Sequence, residues 1–169
     1  MRPIDKFVNF KHTSPFIIRM FEKISMILNN RESTTETNQN ETESPGIDAS
    51  LHENIEMLIK ICDTIELFAY NKLNLILVER TKGVTILMNC LNHFCKLLSQ
   101  AQLIDKDQQS IRKRFIISIL RCLVVCLRAD INIHEFVSSK GSNFLRLIKL
   151  MKEHIGDEEI MIEALIVLR

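Results

Sequence analysis

Apolar residues recur at intervals of three and four along most of this chain, the spacing that lines one face of an α-helix. Between 51 and 70, Leu51, Ile55, Leu58, Ile59, Cys62, Ile65, Phe68 and Ala69 fall on such a face; between 84 and 98, Ile86, Leu87, Cys90, Leu91, Phe94 and Leu98 do the same. The pattern predicts further helices over 15–28 and 109–129, one from Ser142 to near Gly156, and one from Asp157 onward. Shorter helices are expected at 72–80 and 131–139. Ser14-Pro15, Ser50, Ser142 and Asp157 stand where N-caps and first-turn residues are favoured. No segment alternates with a period of two, and 4 Gly and 3 Pro supply too little turn chemistry for a many-stranded sandwich or barrel. The expected fold class is all-α. With 46% hydrophobic residues, a single domain over 1–169 has ample material for a core.

Two polar stretches interrupt the pattern. NNRESTTETNQNETESPGIDAS (29–50) carries a single sizeable apolar side chain, Ile47. Such a stretch cannot bury enough surface to offset its ordering entropy, so a disordered loop is expected there. SQAQLIDKDQQ (99–109) is a milder break.

A longer pattern recurs three times, in KFVNFKHTSPFIIRMF (6–21), LILVERTKGVTILMNCL (75–91) and HEFVSSKGSNFLRLIKLM (134–151). Each copy has a bulky residue before valine: Phe7-Val8, Leu77-Val78, Phe136-Val137. A lysine then precedes a turn residue, in Lys11-His12, Lys82-Gly83 and Lys140-Gly141, and a helix opens with Phe16-Ile17, Ile86-Leu87 or Phe144-Leu145. The physical sense is a short helix, a reversal where glycine tolerates positive φ, and a second helix. One more helix follows each copy, at 51–70, 109–129 and 157–169. These third helices are apolar around most of their circumference and must be covered on several sides by neighbours.

This succession resembles the armadillo repeat of the armadillo/HEAT class. The resemblance implies a right-handed armadillo-like solenoid of about three repeats: 1–70 with the loop at 29–50, 71–129, and 131–169. The copies are spaced more widely than the ~40–47 residues of that class, the excess falling at 29–50 and 99–109. The third repeat reads as incomplete, since MIEALIVLR stops inside an apolar helix with no polar capping helix. The resemblance also implies a non-enzymatic scaffold with a concave surface lined by third helices, and it brings no catalytic residues.

Charge narrows the classes further. With 22 basic and 21 acidic residues there is no chain-wide field to attract nucleic acid or anionic membrane, and neither is an expected partner. The start, MRPIDKFVNFKHTSP, is broken by charges and does not read as a signal peptide. FIISILRCLVVCL (115–127) is too short to span a bilayer and holds Arg121 near its middle. A reducing compartment, cytoplasmic or nuclear, is expected. There the five cysteines, all inside apolar helical patterns, read as buried free thiols. Cys90, His93 and Cys95 lie close in sequence, and Cys122 and Cys126 share a helix face, but no CxxC knuckle accompanies them. Neither a phosphate loop nor a catalytic triad is legible, and no cofactor or metal is expected. His154 is placed at a helix end, where a cation suits the dipole, and Glu158-Glu159 at a helix start.

The candidate partner surface is a pair of polar stripes. Arg114, Ser118, Arg121 and Arg128 share one edge of the helix 109–129, left for solvent once the apolar positions are covered; Glu56, Lys60, Asp63 and Tyr70 form the equivalent stripe on 51–70. Glu53 on one side, with Glu159 and Glu163 on the other, adds acidic residues. A solvated face explains such stripes as well. The functional expectation is a groove alternating acidic, basic, acidic, which binds an extended or helical segment of another protein. Acidic side chains of that partner would face the arginines, whose fork pairs carboxylates at two points. Two other readings stand beside this: a structural segment of a larger helical-repeat protein, and a helical metal or redox protein using the cysteines.

Overall fold

The computed structural model describes the backbone of residues 10–35, 49–100, 106–138 and 142–169, with side chains from 15 to 29 in the first segment and 49 to 99 in the second. Among these residues the chain is all helix, with no strand. The elements are α1 (Phe10–Thr35), α2 (Ala49–Ala69), α3 (Lys72–Arg80), α4 (Gly83–Gln100), α5 (Lys106–Cys126), α6 (Asp130–Ser138), α7 (Ser142–Glu153) and α8 (Glu158–Leu168). No helix among the described residues is long and apolar enough to cross a membrane.

Several boundaries differ from expectation, each for a local reason. α1 begins at Phe10, so Pro15 lies inside it and not at its first turn. Proline there removes one bond, to the carbonyl of residue 11, which a helix of 26 residues absorbs. The expected turn at Lys11-His12 is therefore helical, which no glycine was present to prevent. At its other end α1 runs to Thr35, seven residues into the stretch expected to be disordered, and α2 already includes Ser50, the expected cap. Residues 36–48 and 101–105, the centres of both polar breaks, lie outside the described residues. The short helices expected at 72–80 and 131–139 are α3 and α6, and Asp157 caps α8 by accepting from the Ile160 N–H at 3.3 Å.

The glycine at the α3–α4 corner serves a different purpose from the one expected. Positive φ falls on Lys82 (56°), the residue before it. Gly83 opens α4 and presses against α1: a Cβ there would stand 2.7 Å from Phe21 Cζ and 2.8 Å from Val78 Cγ1. Close approach, not backbone freedom, excludes a side chain. Gly141 lies outside the described residues.

α2 packs against α5 and α5 against α8, so the three lie in a row with α5 in the middle, while α4 covers α5 from behind. This is the consequence of α5's composition. Phe115, Ile116, Ile119, Leu120, Cys122, Leu123 and Cys126 are all essentially fully buried, and each such side chain contributes roughly 1.5–3 kcal/mol when removed from water. Phe94 of α4 meets Phe115 with centroids 5.5 Å apart. α1 packs on α2, α3 and α4, supplying Ile17, Phe21 and Ile24 to the same core.

A buried asparagine recurs at the start of each short helix and locks it to the helix before. Asn74 donates to the Phe68 carbonyl at 2.8 Å, six residues back, closing the last turn of α2. Asn132, 58 positions later, donates to the Cys126 carbonyl at 2.8 Å, also six back, closing α5, and lies 3.2 Å from the Leu75 carbonyl of α3. Both are fully buried. The same offset pairs Val78 with Phe136, both buried, which corrects the alignment of Leu77-Val78 with Phe136-Val137; Val137 is exposed. The apolar pair expected to open α7 is also misplaced, since Phe144 and Leu145 are exposed and Asn143 and Leu147 point inward.

Asn132→Ala should destabilise the protein by about 1–3 kcal/mol in denaturant unfolding, because it strands carbonyls at the end of α5. Asn74→Ala should cost a similar amount. Asn89→Ala, which removes only a surface contact to Arg146, should cost less than about 0.5 kcal/mol.

Candidate functional site

The row α2–α5–α8 brings the polar residues of three helices to one face. Arg114 Nη1 lies 3.1 Å from Glu56 Oε1. One turn on, the Ser118 hydroxyl donates to Asp63 Oδ1 and lies 3.3 Å from the Ile59 carbonyl. A further turn on, Arg121 reaches the other way. Its Nε donates to Glu163 Oε1 at 2.8 Å, and its Nη2 is 3.6 Å from Glu159 Oε1. Lys113 Nζ joins the same set, 3.0 Å from Asp157 Oδ1 and 3.3 Å from Glu159 Oε2. At the far end the Arg128 guanidinium stands over the Tyr70 ring, 5.4 Å from its centroid. Lys60 is exposed on α2.

The expected stripe is thus placed as follows. Arg114, Arg121 and Arg128 are exposed, but Ser118 is buried and is corrected from a solvent-facing residue to an interhelical contact. Its short side chain cannot reach past the flanking helices, and it satisfies its hydroxyl on α2. The arginines do not stand free for a partner either: each already has an acidic or aromatic neighbour on α2, α8 or the turn after α2. The alternation of charge is a feature of the face, and the first thing it does is stitch the row together. Such pairs are worth about 0–1 kcal/mol each at a surface. The set Asp157–Lys113–Glu159–Arg121–Glu163 is continuous, which favours a fixed geometry over isolated pairs.

Two residues of this face escape a reading by stripes. Lys113 sits beside Arg114 and belongs to the α8 side of α5, which only the lateral neighbours reveal. Glu66 lies three residues after Asp63, so helical spacing could have placed it; it lines a cleft of about 480 Å³ with Asp63, Arg114, Ile117, Arg121 and Glu159. Burial raises the Glu66 pKa; Arg121 opposes this, while the carboxylates of Asp63 and Glu163 add to it. Burial also pushes Asp157 up, but its bonds from Lys113 and the Ile160 N–H outweigh that and hold it below its ordinary value. The hydrogen bond to Glu163 stabilises the charged form of Arg121, and those to Asp157 and Glu159 do so for Lys113.

The cysteines lie elsewhere, in the core. All five are buried free thiols. Burial pushes Cys90 well above the thiol range and Cys95 up to about 12; hydrogen bonding with Cys126 and Cys62, then burial, does the same for Cys122. Thiols so protonated are poor nucleophiles and poor metal ligands. Among the described residues no three of His, Cys, Asp and Glu converge on a common point for a metal ion. His154 follows the last residue of α7, at the helix end as expected, where burial and then the nearby Arg112 lower its pKa and disfavour the cationic ring.

Compared with family models, curated proteins and solved structures, the chain matches none.

Two outcomes check this description. Glu66→Gln should raise the melting temperature at neutral pH, because the wild-type carboxylate is held charged against burial and two like charges. Its folded pKa lies above the unfolded value, so the wild type gains stability as pH falls through that raised pKa, and the variant's advantage should shrink to nothing in acid. Native protein should react slowly with a thiol reagent at all five cysteines, and quickly once unfolded; fast native labelling of Cys90 or Cys122 would place them outside the core.

Proposed function

We propose that the chain is a non-enzymatic protein-binding scaffold, an armadillo-like helical repeat whose face along α2, α5 and α8 receives an extended or helical segment of another protein. The observation that carries this reading is the composition of α5. From Phe115 to Cys126 that helix is apolar and largely enclosed apart from Ser118 and Arg121, so its polar edge there opens on the face shared with α2 and α8, beside a cleft of about 480 Å³. Exposed Arg114, Arg121, Lys60 and the Arg128–Tyr70 stack lie along it, the arginines already held by neighbours within the face. Surface ion pairs are weak enough for an acidic partner segment to compete for the arginine forks. The recurring asparagine and the 58-residue offset support a repeat architecture, and the buried free thiols suit a reducing compartment, cytosol or nucleus.

The test must separate a binding face from a seam, since reversing one arginine alone would also break a contact between helices. The exchange Glu56→Arg with Arg114→Glu keeps the α2–α5 pair and reverses its polarity. Its melting temperature should stay within about 2 °C of wild type, because the pair is conserved and exposed. Proteins captured by the wild type from cell extract should be lost, and wild-type capture should weaken with added salt. An unchanged partner set would mean the charges only join the helices, the reading as a structural segment.

A further inference from the structure

Arg112 is a partly buried cation without an acidic neighbour. Its Nη2 donates to the Ser99 hydroxyl of α4 at 3.2 Å, its Nε is sealed from water and unpaired, and among the described residues no carboxylate lies within ion-pair distance. Arg114 and Arg121 on the same helix are different, since each has a carboxylate of its own. Drawing a charge out of water is unfavourable unless an opposite charge or hydrogen bonds take the water's place. A second unpaired nitrogen belongs to the same region. His154, in the turn between α7 and α8, has its Nε2 buried and without a partner.

Both residues line one cleft of about 620 Å³ where α4, α5 and the start of α8 meet, together with Ser99, Lys106 and Ser110. Lys106 is exposed and, among the described residues, has no carboxylate within ion-pair distance either. The acid that lines the cleft is Asp157, and it is already held by Lys113 at 3.0 Å and by the Ile160 N–H at 3.3 Å. Lys106, Arg112 and Lys113 therefore stand against a single carboxylate. The free groups are donors: a guanidinium, an ammonium and two serine hydroxyls. A tetrahedral oxyanion accepts from several such donors at once, and charge-assisted bonds of this kind are the strong ones. The first turn of α5, which supplies Lys106 and Ser110, adds the positive end of its helix dipole.

We propose that this cleft binds a phosphate group, free or on a small phosphomonoester, held by Arg112, Lys106 and the hydroxyls of Ser99 and Ser110. The site does not rest on the protein-binding reading of the face along α2, α5 and α8; it shares with that face only Lys113 and Asp157. His154 reports its occupancy. The charges around the imidazole are Lys106, Arg112 and Lys113 from α5, Glu153 from α7 and Asp157 before α8, while α4 presents the uncharged Ser99. Burial and then Arg112 disfavour the cationic ring. A dianion beside Arg112 offsets that repulsion, so the ring takes up a proton from solvent as the anion binds.

NMR of the full chain tests this. The Cε1–H resonance of His154, assigned by comparison with His154→Gln, is followed against pH in sodium chloride and in sodium phosphate of equal ionic strength. Its titration midpoint should be about one pH unit higher in phosphate, and the shift at fixed pH should saturate with phosphate concentration. Lys106→Glu replaces an exposed residue, so its melt should match the wild type, yet it should weaken phosphate binding at least about tenfold. Arg112→Gln should raise the midpoint in chloride, because a repelling charge is gone, and should abolish the difference between the two salts. A second arm with phenyl phosphate separates the sources: a matching rise assigns a phosphomonoester, and no rise assigns the free ion. Equal midpoints in chloride and phosphate would overturn the proposal. So would a rise that both Lys106→Glu and Arg112→Gln leave intact, since the anion would then act without the cleft.

Discussion

A helix whose last three turns carry apolar side chains on almost every side has to be enclosed there, and α5 is such a helix from Phe115 to Cys126. One neighbouring helix can cover only about a third of a helix surface, so α5 requires α2 and α8 beside it and α4 behind it. The rest follows from that demand. α2 and α8 must run alongside α5, which places the intervening helices on the opposite side of the layer. The short α3 and α6 then bridge from the end of α2 to the start of α4 and from the end of α5 to the start of α7. Their asparagines answer the problem this creates, since the last carbonyls of α2 and α5 end inside the protein, where water cannot reach them.

The helices themselves were legible because burial in this molecule is one-sided almost everywhere except α5; α8, expected to be covered on several sides, buries Ile160, Ala164 and Val167 and leaves Ile162, Leu165 and Ile166 exposed. Spacings of three and four located α3, α6 and α7 closely, and Asp157 marked the start of α8 by its side-chain chemistry. Helix ends were less legible for a plain reason. A cap is favoured by a few tenths to about 2 kcal/mol, and a long amphipathic helix overrides it; Ser50 and Pro15 were passed over in this way. The Lys-Gly pattern marks Gly83 as special, but sequence does not distinguish a glycine needed for its φ from one needed for the space its absent Cβ leaves beside Phe21. Asn74 and Asn132 escaped altogether. Among polar residues on short helices, nothing local announces which amide will be buried; only the repeat offset, with burial in both copies, picks them out.

The polar stripe on α5 was legible as a pattern and misleading as a surface. Helical spacing places Arg114, Ser118, Arg121 and Arg128 on one edge, and that edge does lead to the face shared with α2 and α8. Spacing does not say how far each side chain extends. Ser118 ends within the layer and is spent on Asp63, whereas the arginines reach beyond it and fold back onto Glu56, Glu159 and Glu163. The partners lie 38 to 58 residues away in sequence, so the pairing became visible only once the three helices were set side by side.

The charged face along α5 and the exposed apolar end formed by α6, α7 and α8 differ in what they would cost to leave empty. The charged face is satisfied as it stands: each arginine has a neighbour, and water screens what remains. A partner there must exchange one ion pair for another, which yields selectivity and a salt-sensitive association rate more than affinity. The apolar end is not satisfied. Ile133, Val137, Phe144, Leu145 and Ile166 are left against water, and covering them returns roughly 25 cal/mol for each Å² removed. Whatever covers such a surface must bury apolar area, whereas an occupant of the charged face must replace ion pairs that are already made.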